Sequence, residues 1–596
     1  MCGYLGYISK NSNISNDDIK DANSYIECRG PDNCISVNSN QNSKIQLLKK
    51  YNYNFTFNRL KIVDLADDAN QPMYSEKYQS LILFNGEIFN HVELRKELES
   101  YGEKFYTKNS DTEVLLIGLS KFGIDYLKKL NGQFSVYFMK LNQQIAYLIR
   151  DRLGQKPLFY SIDENNLIFG SNLKALNKLK NSEIYEYSIY EYLNFGVIPS
   201  PNTIYKNIFK LEPATYIKID LETFKTYKTK YWELDKFQGN NVFDSDIFNS
   251  LYENSIKLRS QADVEVACFL SGGLDSSSII SNLAKQVNSV NTFSVNFKNT
   301  DFDESHHSKL VAEKFSTNHK GYDFYNDISI DLIEKSIEIF DEPYSDPSTV
   351  PSFLISKLMS ETYRVGISGD GGDELMGGYY RTQKLLKKRF SIFPEKLFNF
   401  YPSILGSGSN ILSLSKNDFV AYKSFFSDKK LLNLLNIDYI DSFDRYRDYK
   451  FLDNYKFFQF IEFDFYLSEM MNLKVDRTSM ANSLEVRSPF QDFRLVEYVY
   501  NTNSSGFQKI PKFVIKDKLS QHFENEFINR KKQGFVFDTK NWVYDNLENI
   551  NQTFQNGKIV TNIDENILTK LSRVRTTQNA LRIWKLFFLE KYFQSS

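Results

Sequence analysis

Over 596 residues the chain carries only four cysteines and five histidines, and its charges nearly cancel. Cys2, Cys28, Cys34 and Cys268 show no metal-type spacing and are too few to staple a fold of this size. A formal net charge of −1 gives no reason to expect nucleic-acid binding or attraction to a membrane surface. No apolar run approaches the roughly 18 residues that cross a bilayer. The first residues hold no basic segment followed by an apolar stretch, so no signal peptide is expected and the chain is read as cytoplasmic. What remains is a multidomain protein of about two to four domains by length.

Against that background one stretch stands out, Ser271–Gly272–Gly273–Leu274–Asp275–Ser276–Ser277. It follows the apolar run 264–270 and opens a helical pattern through Leu283. Strand, glycine turn and helix start point free backbone N–H groups at a phosphate, and Asp275 adds a carboxylate suited to Mg2+. No Gly-Lys-Ser/Thr follows, so this is not a Walker A loop. It resembles the pyrophosphate loop of the ATP pyrophosphatases. Thr292–Phe293–Ser294–Val295–Asn296–Phe297 reads as a second buried strand, with Phe302, Asp303 and Glu304 just past its end. A third signal runs from Val365 to Glu374, an apolar strand followed by glycines, with Asp370 and Asp373 across them. Strands alternating with helices predict a doubly wound parallel sheet whose ligands gather at the carboxyl ends of its strands.

At the other end, removal of Met1 would leave Cys2 with a thiol and a free α-amine on one residue, a nucleophile with its own base. Arg29–Gly30–Pro31–Asp32 reads as a rigid turn, and residues 58–64 alternate like a strand and carry Arg59. Asn85 and the Gly86 N–H, at the end of the strand 81–84, are donor types that an oxyanion hole needs. Ser110–Asp111–Thr112–Glu113 reads as the capping segment of a helix. Residues 182–235 read as strand-like and turn-rich, and 235–244 as a linker.

With Leu130–Asn131–Gly132–Gln133–Phe134 and residues 150–158, residues 2–160 resemble the N-terminal-nucleophile glutaminase domain of class II glutamine amidotransferases. The resemblance implies Cys2 as nucleophile, Asn85 and Gly86 as oxyanion donors, and a glutamine site formed by Arg59, Ile62, Asn85, Glu87 and Asp111. Cys28 stands where that family usually has histidine. Residues 240–545 resemble the synthetase domain of class B, glutamine-hydrolysing asparagine synthetases, through 476–481, 483–490 and 530–535, with Trp542 behind them. This implies ATP contacts from Leu270, Ser271, Gly272, Gly273, Asp275, Ser276, Val295, Ser368 and Gly369, and Mg2+ on Asp275 and Asp373. It also implies catalytic roles for Asp370 and Lys512, with Lys509 as competitor for the latter.

The expected fold is therefore α/β: an αββα N-terminal-nucleophile sandwich over residues 2–235, then a doubly wound parallel-sheet ATP-pyrophosphatase domain with added helices over 241–596. The expected partners are glutamine, ATP and aspartate, with Mg2+, no nucleic acid, no membrane, and a homodimer as the assembly. Three functions follow. One is asparagine synthesis, in which ammonia from glutamine displaces AMP from an adenylated carboxylate. Another is the same chemistry on a different carboxylate, such as a sugar uronate, because residues 341–351 lack an arginine that some relatives use to grip aspartate. The third is a non-enzymatic relative, which the presence of Cys2, Arg59, Asn85, Asp111, Asp275 and Asp373 disfavours. Residues 380–465 and those beyond about 550 carry no motif and read as helical packing.

Overall fold

A computed structural model describes residues 2–11, 14–39, 50–298, 303–325, 328–387, 398, 400–438, 441–530, 537–557 and 559–595. Twelve strands build the N-terminal part: β1 (Gly3–Ser9), β2 (Asn33–Asn38), β3 (Asn52–Arg59), β4 (Met73–Ser75), β5 (Ser80–Ile88) and β6 (Gly132–Lys140) come first. They continue with β7 (Ile145–Arg150), β8 (Phe159–Ile162), β9 (Asn166–Gly170), β10 (Phe209–Lys210), β11 (Thr215–Asp220) and β12 (Thr226–Lys230). Two six-stranded sheets result, ordered β10-β8-β9-β1-β3-β2 and β12-β11-β7-β6-β5-β4.

These strands are apolar on the faces turned to each other, because that is where the two sheets stack. Tyr4, Phe55, Phe57, Leu81, Leu83, Tyr137 and Phe169 fill the space between them, and Tyr137 stacks on Phe169 at 4.1 Å between ring centroids. The helix Asp111–Phe122 covers the outer face of the second sheet. The helices Asn16–Ser24 and Leu173–Lys180 cover the first. This is the αββα sandwich expected.

Five parallel strands follow: β13 (Val266–Phe269), β14 (Asn291–Lys298), β15 (Asn318–Tyr325), β16 (Val365–Ile367) and β17 (Glu485–Arg487). Their order is β15-β14-β13-β16-β17. The chain leaves β13 in one direction and returns as β16 on its other side, so the crevice for ligands lies between their carboxyl ends. Cys268 pairs with Ile367, which sets the loop after Phe269 beside the loop after Ile367.

Local details depart from the sequence reading. The 58–64 alternation is strand only to Arg59, after which the chain turns and Asp64 takes a left-handed φ of 52°. The stretch 182–235 contains a full helix, Glu186–Phe195. Ser110 caps nothing with its side chain; Glu113 instead accepts from the Tyr106 and Thr107 amides, both at 2.8 Å. A cap needs only one turn, but here a tertiary loop competes for the carboxylate and wins. The segment without a motif proves to be core: Trp584, on the helix Thr577–Gln594, is fully buried against Trp542 and Phe588.

A buried ion pair joins the two halves: Arg29 holds Asp476 through two bonds of 2.8 and 2.9 Å. Two further buried pairs, Arg477–Asp341 and Arg259–Asp492, lie within the C-terminal half and face the seam, and Arg259 also donates across it to Asn131 Oδ1 at 3.3 Å. The Asp341 carboxylate also accepts from the Leu173 amide at 2.7 Å.

Candidate functional site

Cys2 immediately precedes β1, in a buried position at the end of the sandwich. Its backbone nitrogen donates to Asn85 Oδ1 at 3.2 Å. Arg29 Nε donates to its carbonyl at 3.2 Å. Burial pushes the thiol above its ordinary value, with the Arg59 charge pulling the other way. Asn85 is fully buried on β5, and its Nδ2 has no hydrogen-bond partner among the described residues. A buried donor left unmatched beside a thiol is what stabilisation of a tetrahedral oxyanion requires. Gly86 follows in the same strand at φ 153°, and a Cβ there would lie 2.0 Å from the Gln133 carbonyl oxygen of the neighbouring strand, so no other residue fits the position.

Two acids close the same end. Glu87 is buried 3.4 Å from Arg487, and burial raises its carboxyl well above the usual range while Arg487 opposes the shift. Asp111 accepts the Ile88 amide at 3.0 Å and is likewise raised by burial. Arg59 lies near enough for its charge to act on the Cys2 thiol, and its guanidinium donates to Ala66 O at 2.6 Å, to Asn70 Oδ1 at 2.8 Å and to the Asp64 carbonyl, pinning the loop 63–70. Ile62 gives its carbonyl to the Asp263 amide at 3.0 Å and its side chain to an apolar cluster with Leu60, Val365 and Met480.

The second centre lies at the crevice of the parallel sheet. Leu270 is buried and its amide donates to Phe293 O. Gly272 takes φ 74° against the backbone of His307, and Ser271 Oγ accepts the Gly273 amide at 3.2 Å. The helix Leu274–Leu283 starts with no side-chain cap, which leaves its first N–H groups to an anion. Arg530 donates to the Gly272 carbonyl, a contact that the sequence reading missed; residues 531–535 of its motif lie outside the described residues. Val295 is buried in β14. The Ser368 hydroxyl is buried without a hydrogen-bond partner among the described residues, and Gly369 packs on Asp275.

Lys512, rather than Lys509, reaches this edge. Its ammonium pairs with Asp275 and lies 2.6 Å from Asp373 Oδ1. Burial would lower its pKa, but the two carboxylates raise it above the ordinary value. Asp370 is half-buried, its carbonyl bound by the Ser488 hydroxyl. Beside Asp373, Glu374 is buried; burial first, then Asp373 and Glu462, push its carboxyl up to about 8, and Tyr379 donates to it at 2.8 Å. No group of three or more His, Cys, Asp or Glu arranged for a metal occurs among the described residues. Two hard carboxylates still suit Mg2+ held jointly with phosphates, and a Cβ on Gly372 would come within 2.7 Å of Asp275 Oδ1, so the space at that oxygen is kept open.

Residues 248–591 match the family model described as Asparagine synthase. The chain belongs to the asparagine synthase family. Residues 1–232 match the Glutamine amidotransferase domain, so this family member is an enzyme of the glutamine-dependent amidotransferase, carbon–nitrogen ligase class. The chain is 30% identical over 582 residues to Asparagine synthetase (glutamine-hydrolyzing) 1 of Bacillus subtilis strain 168, covering 91% of this chain and 88% of that one. It is 33% identical over 403 residues to Putative asparagine synthetase (glutamine-hydrolyzing) 2 of Methanocaldococcus jannaschii, covering 64% and 76%. Like other asparagine synthases it uses ATP. No helix among the described residues is long and apolar enough to cross a membrane.

Proposed function

We propose that the chain makes asparagine from aspartate, ATP and glutamine. The observation that carries this is the pairing, in one chain, of the orphaned Asn85 Nδ2 beside Cys2 with the carboxylate–lysine–carboxylate cluster at the phosphate loop. Its resemblance to a glutamine-hydrolysing synthetase along nearly its whole length agrees.

The Cys2 thiol, its proton taken by the α-amine of the processed terminus, attacks the side-chain carbonyl of glutamine. Asn85 and the Gly86 N–H hold the oxyanion. The glutamine ammonium supplies the counter-charge that buried Glu87 and Asp111 need. Ammonia leaves, and water hydrolyses the thioester to glutamate. The apolar cluster of Leu60, Ile62, Val365 and Met480 joins residues of both halves, and such a surface offers ammonia no proton.

At the second centre an oxygen of the acceptor carboxylate attacks the α-phosphorus of ATP and pyrophosphate departs. Ammonia then adds to the carbonyl and AMP leaves with the bonding pair. Asp275 and Asp373 would hold Mg2+ together with the phosphates, and the ion would supply positive charge against them. Lys512 is placed to neutralise charge developing between phosphate and carboxylate. Domains of 2–235 and 241–596 fit this division of labour.

Amidation of another carboxylate is the second reading, favoured by the lack of arginine in residues 341–351. Pyrophosphate release from MgATP and glutamine, with and without aspartate, and mass detection of product, separates the two. Aspartate-dependent pyrophosphate with asparagine is expected; glutamate release with no aspartate dependence would refute asparagine synthesis.

A further inference from the structure

Although residues 341–351 contain no arginine, a cation reaches them from 126 positions further along the chain. Lys474, on the helix Asn472–Met480, is 5% exposed. Its ammonium donates to Ser348 Oγ at 2.8 Å and stands 3.6 Å from Asp346 Oδ2. That separation is beyond a direct hydrogen bond. Asp346 is held in place from the other side, its Oδ1 accepting the Ser348 amide at 2.9 Å. The fully buried hydroxyl of Thr349, next in the chain, has no partner among the described residues.

This cluster borders the synthetase centre. The segment that enters the helix before a strand lies at the carboxyl edge of a parallel sheet, and Ser348 leads into the helix Thr349–Ser360, which precedes β16. Asn472, at the start of the lysine's helix, accepts from Gln491 at 2.9 Å, and Gln491 packs over Gly371, between Asp370 and Asp373. On the near side Tyr466 stands within electrostatic reach of both Asp346 and Glu374. Its ring meets that of Tyr379 edge-on at 5.3 Å. Tyr466 comes from the π-helical stretch Glu462–Met471, a distortion that often accompanies function.

We infer that Lys474 and Asp346 together recognise the zwitterionic end of an α-amino-acid acceptor, Lys474 its α-carboxylate and Asp346 its α-ammonium. The inference rests on the synthetase reading above and names its substrate class. A fixed cation and anion side by side match an amino-acid end and mismatch a uronate, which offers no ammonium. Ser348 and Thr349 add hydroxyl donors on the carboxylate side, and the acceptor's far carboxylate is left for adenylation. Lys474 thus supplies, from another element, the charge that the loop itself lacks.

The test is steady-state pyrophosphate release by the full-length enzyme with MgATP and ammonia, comparing L-aspartate with succinate, which keeps both carboxylates and loses the ammonium. The wild type should prefer aspartate by at least a hundredfold in kcat/KM. Lys474→Met should raise the aspartate KM tenfold or more while the ATP KM stays within twofold, and Lys474→Arg should recover most of the loss. Asp346→Asn should shrink the preference over succinate at least tenfold. Glutamate release and the melting temperature report that each variant is folded. Aspartate KM values within twofold of wild type in both Lys474→Met and Asp346→Asn would overturn the inference while leaving asparagine synthesis standing. A wild type with no aspartate-dependent pyrophosphate would overturn both.

Discussion

The two centres are furnished in opposite ways. At the Cys2 end two acids and a donor stand buried: burial raises Glu87, even with Arg487 3.4 Å away, and Asp111, and Asn85 Nδ2 has no acceptor among the described residues. At the Asp275 edge the protein carries its own counter-ion, because Lys512 lies between the two carboxylates. The first centre is carried by strands and preformed, and its ligand completes it. The second hangs on loops and a distant helix, and its ligands must displace a contact already made.

Cys2→Ala makes the strongest test of that division. Glutamine-driven asparagine should fall by about four orders of magnitude, in line with loss of a nucleophile, while product formed from added ammonium salt persists. Loss of both in folded protein would mean that the centres are not separable. Asp275→Asn is the reciprocal change: pyrophosphate release should drop about a hundredfold or more, with glutamine hydrolysis retained, as followed by glutamate release. Undiminished pyrophosphate would remove Asp275 from the phosphate site.

The smallest of the three effects concerns the seam between the centres. Burial alone would raise the Asp476 carboxyl, but Arg29 and Arg477 hold it well below the ordinary carboxylate range. Its stabilising contribution is present above the unfolded value and is lost as pH falls through the folded one. Asp476→Asn should cost about 3 kcal/mol of stability at neutral pH by stranding two guanidinium groups. In denaturant titrations the gap from wild type should narrow as pH drops below about 4. A gap that stays constant with pH would show that the pair carries no net charge effect.

Local chemistry made much of this legible beforehand. Asn85–Gly86 and Ser271–Ser276 each gather donors within a few residues, of the types an oxyanion or a phosphate needs, whereas the role expected of Cys2 came from the resemblance to class II glutamine amidotransferases. The parallel sheet was visible because buried strands alternate with helices. What stayed hidden depends on partners far apart in the chain. Arg29 meets Asp476 across 447 positions, Arg530 reaches Gly272 across 258, and Lys474 reaches Ser348 across 126. No periodicity encodes such meetings. Glu113 misled for the same reason, since its carboxylate serves a neighbouring loop rather than its own helix.

The buried seam also bears on how such a protein can be re-engineered. A glutaminase half made alone would present Arg29, Arg259's partner Asn131 and Glu87 to water with their counterparts missing, and the other half would be left with Asp476, Arg259 and Arg487. Grafting the acceptor half of a relative onto this glutaminase therefore requires moving Asp476, Arg477, Arg487 and Asp492 as a set. A chimera cut within 235–244, the stretch the sequence suggests as a linker, that left this set behind would be joined at the wrong seam.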